Sequence, residues 1–302
     1  MSAAAETPSS IFFALGANLA IALAKTAGAV FTASSSMLAE AIHSWADCTN
    51  QLLLLWGMRQ ARQAPDAEHP LGYGRAIYFW SFIVALMLFS LGGMFSVYEG
   101  WHKWQHPRAL EHADWAAGIL LFAVAAESLS LAGGLRDIRA ERGEQSLWRW
   151  FRQSRRSELI VVLGEDVAAL SGLALALVFV TLTLFTGNPL WDAVGSMVIG
   201  ALLIAVAWLV GMEVKALLMG QSAHPDAVQA MHRHLRQQPE VAEVFNLITQ
   251  QLGDRIMVSV KARMQPTGSE AGLIEAINRV EARFRAAFPS VGWMFFEPDL
   301  RD

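Results

Sequence analysis

Glu40, His43 and Asp47 lie inside residues 37–56, a mostly apolar stretch about as long as a membrane-spanning helix. Intervals of three and four residues place all three on one helical face. His43 and Asp47 are one turn apart, so an imidazole nitrogen and a carboxylate oxygen can share one cation of zinc size. Titratable residues inside a membrane segment face the bundle interior or a water-filled cavity. The spacing therefore predicts half of a cation site on this helix.

A second pair of acids, Glu165 and Asp166, lies in the middle of another apolar stretch, at "GEDVAALSG". Neighbouring helical residues point about 100° apart, so both reach one site only if one side chain bends. Two carboxylates in hydrocarbon repel each other unless a cation lies between them. That cation is either a metal ion or Lys25, which lies within the first apolar stretch. A buried Lys25–Glu165 ion pair is the structural alternative, and it accounts for one of the two carboxylates.

Other polar residues in the apolar stretches have two interpretations each. Glu127 is either a proton-handling residue or a hydrogen-bonded structural acid. Glu40 lies nearer the outer end of its helix than His43, so it either joins the site or faces water. The remaining polar residues of the same stripe are expected to hold helices together by hydrogen bonds. They are Ser36, Asn50 and Gln51.

The composition indicates a membrane domain joined to a soluble one. Of the 302 residues, 54% are hydrophobic and 17% charged, whereas soluble domains usually carry about 25% charged residues. The net charge of −4, without long runs of like charge, argues against a nucleic-acid partner. Cys48 is the single cysteine, which excludes an intrachain disulfide and a multi-cysteine metal site. We do not expect an enzyme, since the sequence has no His-Glu-x-x-His motif. The opening residues, "MSAAAETPSS", lack the basic segment of a cleaved signal peptide.

Six apolar stretches are long enough to cross a bilayer as helices. They lie near 11–32, 36–58, 77–99, 113–135, 158–185 and 190–212. Seven arginines lie between the fourth and fifth stretches and three between the second and third. Basic loops stay on the cytoplasmic side. We therefore expect a multi-pass protein with a short cytoplasmic N-terminus at 1–10, a membrane domain at 11–212 and a cytoplasmic tail. The expected location is a bacterial cytoplasmic membrane, and an organellar membrane is the open alternative, because the loop charges do not distinguish the two.

The tail, residues 213–302, alternates helical and strand patterns in the order αββαβ. Ile256, Val258 and Val260 recur at every second position, as in a strand with one covered face. Gly253 and Asp254 separate two β-rich runs and predict a hairpin turn. Such a small domain is marginally stable alone, so we expect it to dimerise. The predicted fold class is thus an α-helical membrane protein, a six-helix bundle followed by a ferredoxin-like or metallochaperone-like α+β domain.

These motifs together resemble the cation diffusion facilitator family of divalent-metal/proton antiporters. His43 and Asp47 match its second-span pair, and "DAEHPLGYGR" matches the loop that follows. "WDAVGSMVIG" matches the start of its sixth span at Asp192 and Ser196, and we expect Asp192 to cap a helix or pair near the surface. "AEAIHSWADCTNQLLLLWGMR", "HPLGYGR", "GEDVAALSG" and "FEPD" resemble a divergent branch that includes the mitochondrial zinc exporter of animals. The resemblance covers nearly the whole chain.

The resemblance implies a transport site with two ligands on the second span and two on the fifth. His43, Asp47 and Asp166 match three of these ligands, whereas Val162 stands where a His or Asp is usual. We expect Glu165, three residues after Val162, to supply the fourth ligand, with water as the alternative.

A second metal site in the cytoplasmic loop is implied for some relatives, which use an Asp and two His there. Asp66 and His69 remain in this chain, but Tyr73 replaces the second histidine. A weak surface metal site and a loop held by its own turn hydrogen bonds are therefore the two alternatives for this segment.

The function implied is efflux of a divalent metal by a homodimer in exchange for protons, with alternating access to one buried site. The resemblance associates one nitrogen ligand among carboxylates with Zn²⁺ as the transported substrate, and Mn²⁺, Fe²⁺ or Co²⁺ suit the same donors. No organic cofactor is expected. A metal-responsive membrane scaffold that no longer transports is the main alternative, and a membrane metallohydrolase ranks below it.

Overall fold

A computed structural model describes residues 8–32, 35–107 and 113–301 of the chain. In chain order the helices and strands are α1 (Pro8–Thr32), α2 (Ser35–Ala61), α3 (Ala76–Met87), a π-helical segment (Leu88–Met94), α4 (Phe95–Gln105), α5 (Ala113–Arg142), α6 (Leu147–Gln153), α7 (Ser157–Thr186), α8 (Leu190–Met219), α9 (Pro225–Arg236), β1 (Val241–Leu252), β2 (Arg255–Met264), α10 (Glu270–Ala287) and β3 (Val291–Pro298). The predicted fold class, a helical membrane domain followed by a small αββαβ domain, is confirmed.

Four stretches of the described residues are long and apolar enough to cross a membrane. They are Ala76–Gln105, Gly118–Arg136, Ser157–Thr186 and Leu190–Met219, and Asn18–Thr32 is a shorter apolar helix. The helix α2 is not among them, because its polar stripe lowers its hydropathy. The residues that suggest a site are thus the same residues that make α2 unsuited to contact lipid all round.

The chain divides into two compact units, which are described separately. One comprises Met1–Trp56, Trp80–Leu147 and Glu158–Val214; the other comprises Gly57–Phe79, Trp148–Ser157 and Lys215–Asp302. Besides the tail, the second unit therefore contains the loop between α2 and α3 with the adjoining helix ends, and most of α6 with the residues that precede α7. The boundaries expected from the sequence, at residues 10 and 212, stay predictions.

The helices of the first unit pack around a core that includes buried Met37, Leu88, Leu173 and Ile199. Polar side chains share this interior: Lys25, Glu40, His43 and Asn50 are at most 1% exposed. Hydrocarbon does not solvate such groups, so each must find a partner within the protein or bind an ion.

Small residues allow α8 to approach the π-helical segment and α4 closely. A Cβ at Gly93 would lie 3.2 Å from the carbonyl oxygen of Gly200, and one at Gly100 would lie 2.7 Å from that of Ala193. The hydroxyl of Ser196 donates to the carbonyl of Ser96 at 2.8 Å. Close backbone approach through small residues is a usual way to pack helices in membranes.

The second unit contains a three-stranded sheet in the order β1-β2-β3. The strands β1 and β2 are antiparallel around the Gly253–Asp254 turn, and β3 lies parallel to β2 after the α10 crossover. Val258 and Val260 are fully buried beneath the helices, while Met257 and Ser259 are only half-buried. The predicted alternation and hairpin are confirmed.

The segment Gly57–Phe79 packs against the β1–β2 hairpin within this unit. The backbone N–H of Gly253 donates to the hydroxyl of buried Tyr78 at 2.9 Å. A Cβ at Gly74 would lie 2.3 Å from the carbonyl oxygen of Leu252, so only glycine fits there. Gly253 has a φ of +62°, which glycine adopts without strain.

Candidate metal site

His43 and Asp47 lie together inside the first unit, as their spacing predicts. Nδ1 of His43 is 3.6 Å from Oδ1 of Asp47, which is too long for a hydrogen bond. Both ring nitrogens of His43 and Oδ1 of Asp47 are buried and make no hydrogen bond. Buried polar atoms are normally paired, so three orphaned atoms side by side indicate a place for a missing partner. Their chemistry, imidazole nitrogen and carboxylate oxygen, suits a divalent cation.

The helix α7 brings Glu165 and Asp166 to the same region. Glu165 accepts a hydrogen bond from the side-chain amide of Asn50 on α2. Asp47 lies near enough to Glu165 and to Asp166 for their charges to interact. Asn50 therefore holds helices together, as expected, and it also positions one proposed ligand.

The helix α5 contributes the wall beside Asp166. A Cβ at Gly134 would lie 3.2 Å from Oδ2 of Asp166, and the Ser130 side chain hydrogen-bonds the same carboxylate. Glu127, Ser130 and Gly134 recur at three and four residues, which is the sequence signal that could have identified this face. Sequence reasoning missed Ser130 and Gly134.

The four proposed ligands do not converge on one point. Among the described residues, no three His, Cys, Asp or Glu side chains are placed to hold a single metal ion. His43 and Asp47 form a pair, Glu165 is bonded to Asn50 and Asp166 lies beside Gly134. The ligand set His43, Asp47, Asp166 and Glu165 stays a prediction.

A buried charged triad adjoins this region. Nζ of Lys25 is 3.3 Å from Oε2 of Glu40 and 3.8 Å from Oε1 of Glu127. Lys25 thus pairs with these two acids rather than with Glu165. Glu40 is fully buried and does not face water, and a Cβ at Gly172 on α7 would lie 2.7 Å from its Oε1.

The π-helical segment passes close to His43. A Cβ at Gly92 would lie 3.8 Å from its Nδ1. A π-helical turn disturbs the regular ladder of α-helical hydrogen bonds, and such turns are frequent at functional sites. The membrane stretch Ala76–Gln105, which contains this segment, therefore also borders the site. The side chain of Ser36, on the same face of α2, lies outside the described residues.

Asp192 pairs with Lys103 at 2.9 Å. Pairing was expected, but both side chains are buried, at 1% and 6% exposure, rather than near the surface. A buried charge needs such a partner because neither water nor lipid compensates it.

Asp66 and His69 lie in an exposed turn that is held by its own hydrogen bonds. The carboxylate of Asp66 accepts from the Tyr73 hydroxyl at 2.6 Å and from the His69 backbone N–H at 2.7 Å. The bond from Tyr73, followed by that from His69, holds the pKa of Asp66 below its ordinary value, and the same contact with Asp66 raises the pKa of Tyr73. Both oxygens of the carboxylate are thus engaged within the loop, as the turn alternative requires.

Comparisons with known proteins identify the family of the chain. The family model described as the cation efflux transmembrane domain matches residues 11–219. The chain is 37% identical over 74% of its length to the proton-coupled zinc antiporter SLC30A9, mitochondrial, of Xenopus laevis, and spans 40% of that protein. It is 29% identical over 75% of its length to metal tolerance protein C4 of Arabidopsis thaliana, spanning 50% of it. It is 24% identical over 84% of its length to the zinc transporter ZitB of Pectobacterium atrosepticum, spanning 75% of it. The chain therefore belongs to the cation efflux family, the cation diffusion facilitators whose motifs it carries.

Proposed function

We propose that this protein exports a divalent metal ion, with Zn²⁺ as its main substrate, from the compartment that holds its tail in exchange for protons. The observation that carries the proposal is the group of orphaned buried atoms on His43 and Asp47, which faces the acids of α7. Relatives named as zinc antiporters and zinc transporters support the choice of ion. The family consists of transporters, so no enzymatic reaction is proposed.

The ligands we assign are His43, Asp47 and Asp166, with Glu165 as the fourth. Metal binding requires deprotonated ligands, so metal and protons exclude each other at this site. Histidine changes charge near physiological pH, which makes the exchange feasible there. In the described arrangement Asn50 donates to one oxygen of Glu165, which leaves the other oxygen for the metal. No three candidate ligands among the described residues converge, so ligation requires α7 to move relative to α2. Closure of the site is thus part of the alternating-access movement.

The triad of Lys25, Glu40 and Glu127 takes a proton-handling role in this proposal. Two carboxylates share one ammonium group, and all three side chains are at most 11% exposed. An uncompensated charge in such surroundings is costly. One proton on the triad removes the excess negative charge, so the triad can hold a proton beside the metal site.

The homodimer is proposed to form through the open face of the tail's sheet. Ile248 and Phe295 both pair with Ser259, on the face opposite the helices, and are 55% and 54% exposed. Replacing both by Lys should convert the full-length protein in detergent to monomers in light scattering. Ile274→Lys, at an equally exposed position on α10, should leave the dimer intact.

The membrane proposed is the cytoplasmic membrane of a bacterium, with both termini in the cytoplasm. The match to bacterial ZitB over 84% of the chain supports this location. A mitochondrial membrane is the competing location, because the Xenopus relative is named mitochondrial.

Transport by purified protein in proteoliposomes loaded with a zinc-sensitive dye tests the function. The unaltered protein should move Zn²⁺ against protons, and His43→Ala, Asp47→Ala and Asp166→Asn should each abolish the flux. Glu275→Gln, an exposed acid on α10, is the matched control and should transport normally. Full transport by the His43→Ala/Asp47→Ala protein would exclude the assigned site.

The same vesicles distinguish the alternatives. Larger proton-coupled fluxes of Mn²⁺, Fe²⁺ or Co²⁺ than of Zn²⁺ would reassign the substrate. The scaffold alternative is favoured by the absence of three converging ligands among the described residues. It predicts that Zn²⁺ binds to the protein and that no ion crosses the vesicle membrane.

A further inference from the structure

His102 and His106 form a pair of imidazoles at the end of α4, away from the site already described. They are four residues apart, so their side chains lie on one helical face. Their ring centroids are 5.1 Å apart. Both residues are exposed, which leaves space for a small ion beside the rings.

The separation of the two rings is that of a chelating pair. Zinc lies about 2.0–2.1 Å from a ligating histidine nitrogen, so two rings at a tetrahedral angle have centroids about 5.2 Å apart. The observed 5.1 Å matches this separation. Nδ1 of His106 lies 3.4 Å from the backbone carbonyl oxygen of His102, which leaves Nε2 of that ring for the ion.

The surroundings of the pair also favour a cation. The last carbonyl groups of a helix carry partial negative charge, and α4 ends at Gln105 with His106 as its C-cap. The neighbouring ammonium of Lys103 is buried and paired with Asp192, so its charge is turned away from the exposed rings. Tyr98 stacks on His102 at 6.3 Å and orients that ring.

Two exposed tryptophans place this end of α4 at a membrane surface. Trp101 and Trp104 are 54% and 43% exposed. Tryptophan is enriched at membrane–water interfaces. With the Arg-rich loops on the cytoplasmic side, the pair lies at the opposite surface, in contact with water.

We propose that His102 and His106 bind a divalent transition-metal ion, with water completing its coordination. The site is separate from the ligands of the proposed transport function and does not depend on them. Paired imidazole donors select borderline-soft ions such as Zn²⁺, Ni²⁺ or Cu²⁺ over Mg²⁺ or Ca²⁺. The site would hold an ion at the non-cytoplasmic membrane surface.

Zinc titration of the purified full-length protein against a chromophoric chelator tests the site. The background variant His43→Ala/Asp47→Ala/Asp166→Asn removes the assigned transport ligands. We expect it to retain one Zn²⁺ per chain, and adding His106→Ala should weaken that binding at least tenfold. His232→Ala in the same background is the matched control and should bind zinc as the background does.

A spacing variant separates chelation from a structural ring stack. Adding Gln105→His to the His106→Ala protein places two histidines three residues apart, which still face each other on a helix. It should restore most of the zinc binding. Equal zinc binding with and without His106→Ala, or equal loss with His232→Ala, would overturn the proposal. Neither result bears on transport, which the vesicle experiment tests by itself.

Discussion

At the scale of single residues, Val162 is the position at which the candidate site differs from the ligand pattern expected for the family. It lies one turn before Asp166 on α7, where relatives are expected to place a metal ligand, and valine offers no lone pair. If Glu165 replaces this ligand, its longer side chain must reach the ion from a position three residues after Val162. The hydrogen bond from Asn50 engages only one oxygen of Glu165, so the other oxygen can bind the metal while this bond persists.

Val162→Asp should therefore create a ligand at the position that the family normally uses. We expect zinc to bind at least tenfold more tightly in a chelator competition assay, because two acids one turn apart can share the ion. Glu165→Gln should weaken binding in the unaltered protein and have little effect in the Val162→Asp protein. Val167→Asp, at an exposed position of the same helix, is the matched control and should not tighten binding.

The exposed turn around Asp66 offers a pH-dependent prediction. The pKa of Asp66 is lowered in the folded protein. The carboxylate therefore stabilises the turn at pH values above its unfolded pKa of about 3.9, and this stabilisation is lost as the pH falls through the folded pKa. Tyr73→Phe removes the main cause and should raise the pKa of Asp66. Carboxyl-carbon NMR of Asp-labelled protein in nanodiscs measures it. An unchanged titration would contradict the prediction, and Tyr98→Phe should leave it unchanged.

At the scale of the elements, packing of α4 against α8 depends on glycine. The two helices lie so close at Gly100 that an added Cβ would be 2.8 Å from the backbone nitrogen of Met197. Neighbouring backbone moves less readily than a flexible side chain, so the added methyl group forces the helices apart. This packing fixes the end of α4 and, through the π-helical segment, the approach to His43.

Gly100→Ala should destabilise the protein by about 1–3 kcal/mol, as overpacking does elsewhere. Gly211→Ala on α8 is the matched control, because a Cβ there meets nothing within 4 Å. Alanine favours helix over glycine by about 0.5–1 kcal/mol, so the control should be neutral or more stable. Thermal unfolding in detergent compares them. Equal melting temperatures for the two variants would argue against tight packing at Gly100.

At the scale of the whole molecule, the chain contains a membrane unit and a second unit. In the second unit the tail is joined by two earlier segments of the chain. Gly57–Phe79 belongs to the second unit although it connects α2 to α3 in sequence. Its contacts with the hairpin include backbone atoms of Gly74, Leu252 and Gly253, so the fit there depends on close approach of the two backbones.

Tyr78→Phe should loosen the hairpin within this unit. The variant leaves the partly buried N–H of Gly253 without its acceptor, and losing such a hydrogen bond costs about 1 kcal/mol. Hydrogen–deuterium exchange of the peptide that contains Gly253 should become faster. Tyr98→Phe, which alters an exposed tyrosine, should leave the exchange rate unchanged.

The sequence by itself determined the class of the protein and the residues worth testing. Apolar stretches of membrane length, arginine-rich loops and a period of two in the tail are local signals, and each follows from burial or solvation of a short segment. The stripe Glu40–His43–Asp47 is also local, because helical periodicity alone places its members on one face.

Only the tertiary structure decided which charges meet. Lys25 lies near Glu40 and Glu127 rather than Glu165, and Glu165 accepts a hydrogen bond from Asn50. Pairing between helices depends on their rotation and on which small residues allow close approach, such as Gly134 beside Asp166 and Gly172 beside Glu40. Those quantities come from the packing of the whole bundle, and no periodicity within a single helix contains them.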